Sequence, residues 1–336
     1  MKVRVQNNRS RKTIPLDSID LENRALVITF APDLDALRES LARAGMIHPP
    51  LVQEAVADSR YRVVVGYKRI LAARELGWNR LDVKLARPGE DELELFLHGL
   101  EENLGTRPLN LVEKALALDK LRHQFGLTEK EVLSSHLPRL GLGSDPGTLS
   151  LYLALAGLEE EILHGLAEGE LSLSAAHRLA ERAPEERLAY FRMVHRLKPG
   201  KNLQREFLDL LADIGRREKT PINSLLAERE IAFLIENKDL PAPQRSGRLR
   251  RALLRRRYPR FSEAMELYEQ LRRQFRLPPG TSLSAPPYFE GRDWRLSVTF
   301  RNREELKRAH KTLGELIDHP LLERLINFPP DEEEES

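Results

Sequence analysis

Residues 63–77, "VVVGYKRILAARELG", run from a β-branched stretch through one glycine into a basic, alanine-rich segment that closes on a second glycine, Gly77. Three successive valines favour a strand, and "ILAAREL" is rich in helix formers. The stretch therefore reads as strand, Gly66, helix. A helix opened in this way leaves its first N–H groups without intrahelical partners, at the positive end of the dipole, where an anion is stabilised. Gly66 permits close approach, and Lys68 and Arg69 add charge beside it. An ordinary turn with a solvated helix start has the same pattern, and neither a Walker lysine motif nor GxGxxG accompanies it, so these residues alone leave both readings open.

Outward from that turn the chain falls into three regions. To about Gly105 strands and helices mix: "KTIPLDSI" is an extended entry, "PDLDALRESLARAG" is a helix closed by Gly45, and "PPLVQEAV", "YRVVVG" and "RLDVKL" are strands. From about Leu109 to about Arg217 every segment has a helical apolar stripe with a cap or a glycine stop. "LPAPQRSG" is a linker candidate. Beyond it come the arginine-rich "RLRRALLRRRYPRFSEAMELYEQLRRQF", a proline-rich loop "LPPGTSLSAPP", the strand-like "WRLSVTF" and the helix "REELKRAHKTLGELI".

With 336 residues, 41% hydrophobic and 32% charged, the chain can bury a sizeable core spread over two or three domains. No run approaches the roughly 20 apolar residues of a membrane span, and the start carries no apolar signal segment, so no membrane role and a cytoplasmic address are expected. There is no cysteine, which excludes disulfides, thiolate metal sites and cysteine nucleophiles. The net charge of +2 hides segregation: Lys2, Arg4, Arg9, Arg11 and Lys12 lead the chain without an acid. From Leu140 to His177 there are six acids and no lysine or arginine, from Arg245 to Arg260 eight arginines and no acid, and the end is "DEEEE".

The order of five short motifs is what distinguishes the two readings of the turn. "KTIPLDSI", "GMIHPPLV", "GYKRILA", "ENLGTR" and "LNLVEKALALDKLRHQFGLTEKEV" follow one another as the corresponding motifs do in the ParB chromosome and plasmid partition family, which the first 160 residues resemble. The resemblance implies a ParB/sulfiredoxin-like N-terminal domain followed by a helix-turn-helix; sulfiredoxin itself works through a cysteine, and none exists here. It also implies a pocket for CTP with magnesium. Gly45, His48 and Pro49 would then lie near base and ribose, Gly66, Tyr67, Lys68 and Arg69 at the phosphates with Arg107 from the "ENLGTR" box, and Glu102 and Asn103 at the metal. Without the resemblance, Glu102 and Asn103 read as a helix cap and a solvated face.

Departures from the family pattern sharpen that expectation. Tyr67 stands for a glutamate, Lys68 and Leu71 for arginines, His48 for a glutamine, and Thr106 for the arginine that follows one place late as Arg107. Arg69 keeps a planar fork for phosphate, whereas lysine is a point charge. Binding is expected, with at most weak CTP hydrolysis. No paired-carboxylate cluster calls for a nuclease.

The helix expected to read DNA, "GTLSLYLALAGL", is apolar and lies in the acidic block, so Tyr152 and Leu155 read as core or a protein contact. Phosphate contact is assigned instead to Arg248, Arg250, Arg251, Arg255, Arg256 and Arg257, against the alternative that these dock on the chain's own acids. The strand and helix near the end are similar to the family's small dimer domain, and the basic N-terminus to its arm for a ParA-type ATPase. The expected class is α+β: 1–105 nucleotide-binding, 106–220 helical with the helix-turn-helix, 221–330 basic and dimerising, and 331–336 an acidic tail. The function expected is that of a CTP-gated, homodimeric, DNA-binding partition protein, nucleoid-associated when DNA is bound. The alternative is a regulatory or adaptor protein that keeps the pocket and no longer reads DNA.

Overall fold

A computed structural model describes residues 9–54, 60–274, 277–286, 289 and 293–327; most of the basic start and the acidic tail lie outside them. The chain divides into two compact units, residues 1–195 and 196–336. It is of mixed α+β class, as expected.

The first unit opens with β1 (Arg11–Pro15), β2 (Ile19–Asp20), α1 (Asp35–Ala44), β3 (Leu51–Glu54), β4 (Tyr61–Val65), α2 (Tyr67–Glu75), β5 (Arg80–Leu85) and α3 (Glu92–Thr106). The strands form one sheet in the order β1-β5-β3-β4-β2. β1 is antiparallel to β5 with Thr13 opposite Asp82, β3 runs parallel to β5 and antiparallel to β4, and β2 is parallel to β4. Pro15, which has no N–H for a ladder, sits at the end of an edge strand. Alternate residues of these strands, Ile14, Val52, Val63, Leu81 and Val83, bury against Ile70 and Ala73 of α2. The junction at Gly66 thus lies at the C-terminal end of an inner strand.

Helices complete this unit: α4 (Leu111–Asp119), continued by a π-helical turn Lys120–Gln124, α5 (Glu129–Glu131), continued by Val132–His136, then α6 (Pro146–Ala156), α7 (Glu160–Ala167), α8 (Leu173–Ala180) and α9 (Pro184–Leu197). α6 packs on α4 and α8. Tyr152 and Leu155 are buried core, as one of the two readings had it. The acidic block finds its cations on α9: Arg187 lies 3.1 Å from Glu159 and Arg192 3.0 Å from Glu161.

The second unit contains α10 (Lys201–Glu218), α11 (Ile222–Ala227), α12 (Arg229–Glu236), α13 (Ala242–Arg257), α14 (Pro259–Gln274), β6 (Thr281–Ser284), β7 (Arg295–Val298), α15 (Arg303–Ile317) and α16 (Pro320–Ile326). Two expectations are corrected here. "LPAPQRSG" is no linker: it forms the start of α13, where prolines are tolerated because first-turn N–H groups have no intrahelical partner anyway. The proline-rich loop contains β6, antiparallel to β7. Gly280 makes that pairing possible, since a Cβ there would stand 2.2 Å from the Thr299 carbonyl oxygen.

Candidate functional site

Gly66 is the N-cap of α2 in the left-handed region, φ 91° and ψ 25°. A Cβ at this position would lie 2.9 Å from the Pro50 Cβ and 3.0 Å from the Arg69 guanidinium, so both backbone angle and space require glycine. The Gly66 carbonyl accepts from Arg69 and Ile70 and starts the helix. The Arg69 side chain folds back over this turn, donating Nη1 to the His48 carbonyl and Nη2 to Glu102 Oε1 at 2.8 Å. Gly66, Arg69, His48 and Glu102, singled out from three motifs, therefore meet at one point.

Glu102 reaches it because α3 lies directly on β4. A Cβ on Gly99 would stand 2.8 Å from the Val64 carbonyl oxygen, so only glycine lets the helix come this close. Three residues on, Glu102 faces the end of the strand. Asn103 Nδ2 donates back to the Gly99 carbonyl at 2.8 Å, and its Oδ1 lies 3.4 Å from Arg107 Nη2. Arg107 is the C-cap of α3. It gives both Nη groups to Glu113, each at 2.6 Å.

Lys68 is half-buried, and its ammonium is held below the usual lysine range, first by burial and then by Arg107, with Glu113 and Asp33 opposing. Two cations in a partly desolvated place favour an anion between them. The Tyr67 ring lies under the Arg24 guanidinium, 5.0 Å from its centroid. Gly45 is the C-cap of α1 at φ 68°, and Pro49, half-buried, follows His48 in the loop to β3.

For magnesium the donors are few. Among the described residues no group of three or more histidine, cysteine, aspartate or glutamate side chains gathers to hold an ion. Glu102 is paired with Arg69 and the Asn103 oxygen faces Arg107. Magnesium binds through one or two carboxylates plus phosphate oxygens, so these two fit only as a complement to a bound phosphate.

Sequence reasoning missed Gly99, Arg24 and Glu113. For Glu113 a signal existed: "NLVE" is a capping box, with Asn110 Oδ1 accepting from the Glu113 N–H at 2.8 Å. What the pattern could not show is that this carboxylate is buried.

Residues 1–104, which hold most of this site but not Arg107 or Glu113, match the ParB N-terminal domain family. These residues are similar to a ParB N-terminal domain. Related chains extend the match beyond it. The probable chromosome-partitioning protein ParB of Chlamydia muridarum is 32% identical over 152 residues, 44% of this chain and 52% of that protein. A nucleoid occlusion protein of Bacillus cereus is 29% identical over 153 residues, 46% of this chain and 50% of that protein. The chain spans about half the length of the curated relatives it matches. Among solved structures, C-terminally truncated ParB from Caulobacter crescentus complexed with CTP-γ-S aligns at 23% identity over 55% of this chain and 98% of that one, with a TM-score of 0.26.

The arginine block is sorted by the face of α13. Leu249 and Leu253 are buried. At the margins of that face, Arg250 Nε lies 2.8 Å from Glu206, Arg257 Nε 3.1 Å from Asp213, and Arg256 Nη2 2.5 Å from Glu218 and 2.9 Å from Glu228. Arg248, Arg251 and Arg255 share the opposite face at i, i+3 and i+7. Arg255 pairs with Glu266, whereas Arg248 and Arg251 are exposed and have no ion-pair partner among the described residues. Three of the six arginines therefore clamp the fold, and three point outward.

Proposed function

We propose that the chain is a ParB-like, DNA-binding partition protein whose N-terminal domain binds CTP and works as a homodimer. The observation that carries the reading is the convergence of Gly66, Arg69, His48 and Glu102 at the end of β4, with the desolvated Lys68 beside Arg107. Gly66 and the first turn of α2 bind phosphate through backbone N–H groups, Arg69 supplies a planar fork, and Lys68 and Arg107 add charge. His48, with Gly45 and Pro49, lines the base and ribose side. Arg69, paired with Glu102 here, would turn its fork to a bound phosphate, and Glu102 with Asn103 would then hold magnesium against it. Tyr67 and Thr106 offer neither a carboxylate nor a guanidinium where the family pattern has them, which supports binding with little hydrolysis.

Dimerisation is supported by apolar side chains left open in the second unit: Leu296 on β7, Phe300, Leu306 and Ile317 on α15, and Ile326 on α16. The adaptor reading is favoured by one observation, that α6 buries Tyr152 and Leu155 and offers no cation to a groove. Affinity for random against selected DNA separates the two, since only a partition protein prefers a sequence. Isothermal calorimetry with CTP and magnesium tests the pocket. Wild type is expected to release heat, and Arg69→Ala to bind at least tenfold more weakly, the loss of one charge-assisted pair of hydrogen bonds. No heat, or heat unchanged in Arg69→Ala, refutes the nucleotide reading.

A further inference from the structure

We infer that Glu113 is a positioning residue of the phosphate pocket: it sets Arg107 from the helical part of the first unit, so that α4 decides where the pocket's second guanidinium stands. The inference rests on the nucleotide reading above. Glu113 is 1% exposed and carries a carboxylate satisfied by four donors from three segments. They are both Nη groups of Arg107 at 2.6 Å, the Asn110 N–H at 3.0 Å and the Phe30 N–H at 3.3 Å. A buried carboxylate with this many donors fixes the fork that faces it.

Arg107 needs such an anchor. It is the last residue of α3's cap, its own backbone extended at φ −161° and ψ 158°, so the helix does not orient its side chain. Its other side-chain hydrogen bonds are long, 3.2 Å to the Pro108 carbonyl and 3.4 Å to Asn103 Oδ1. Arg107 is also the cation that acts on Lys68, with Glu113 acting in the opposite sense. Moving or neutralising Glu113 therefore changes both cations of the pocket without touching a bound anion itself. The arginine that stands one place late in "ENLGTR" is thereby brought to serve the pocket by a residue outside the domain that 1–104 delimits.

A double-substitution cycle in the full chain tests this, read by calorimetry with CTP and magnesium at several salt concentrations. Glu113→Gln and Arg107→Gln are each expected to bind at least tenfold more weakly and to reduce the salt dependence by the same amount. The double variant Arg107→Gln/Glu113→Gln is expected to bind no more weakly than Arg107→Gln alone. Glu113→Asp, which keeps the charge one methylene short, recovers part of the affinity. Circular dichroism checks folding; if Glu113→Gln does not fold, the double variant, which leaves no buried charge unpaired, must still match Arg107→Gln. Glu113→Gln binding like wild type, or losses that add, overturn the inference alone. A wild-type protein that takes no CTP overturns the nucleotide reading and this inference with it.

Discussion

Gly66 is the residue at which the pocket is most exposed to a single change. Its φ of 91° and the 2.9 Å approach of Pro50 act together, and an alanine would strain the turn and displace Arg69. Gly66→Ala is expected to lower stability by about 1–2 kcal/mol, the cost of holding an L-residue in the left-handed region, and to weaken CTP binding with it. Thermal unfolding and calorimetry on the same variant check both. A variant as stable as wild type would show that the backbone can leave this conformation freely. Gly99 has the same logic without the strain: it is ordinary helix, and only the neighbouring Val64 carbonyl makes it necessary.

At the scale of the element, α13 carries two kinds of arginine, and acid separates them. Arg256 bridges Glu218 on α10 and Glu228 beside α12. The Arg256 and Arg217 guanidiniums hold the Glu218 carboxyl at about 2, against its ordinary 4.5. Between these values the unfolded chain binds the proton that the folded one refuses. The contribution of Glu218 is therefore complete above pH 4.5 and is lost as the pH falls through about 2. Acid unfolding followed by circular dichroism is expected to be shallower over this window in Glu218→Gln, and parallel curves would remove Glu218 from the account. Arg217 adds a second restraint by donating to the Arg256 and Arg257 carbonyls at 2.6 and 3.1 Å, which caps the C-terminal end of α13.

For the whole molecule the question is whether the outward arginines meet DNA. Each phosphate neutralised contributes roughly 0.9 to the slope of log affinity against log salt. Arg248→Ala/Arg251→Ala is therefore expected to reduce that slope by about 2 on random DNA, leaving the unfolding temperature unchanged because neither side chain has an ion-pair partner among the described residues. An unaltered slope would move DNA contact elsewhere. Much of the first unit was legible in the sequence. "RLDVKL" is β5, and the strand-glycine-helix turn is present as read, because valine runs, caps and glycine stops act locally over a few residues; in the second unit "REELKRAHKTLGELI" is α15 for the same reason. The likeness of residues 1–104 to a ParB N-terminal domain was legible in the order of short motifs for the same reason, since each motif is local. The sequence determined a strand-glycine-helix turn at Gly66 with Lys68 and Arg69 beside it, and a block of eight arginines from Arg245 to Arg260. Only the tertiary structure decided which arginines are spare, since Arg250, Arg256 and Arg257 meet acids 28 to 44 residues away in the chain. It also decided that Glu113 is buried against Arg107, since burial depends on which elements pack together, and no local pattern carries that information.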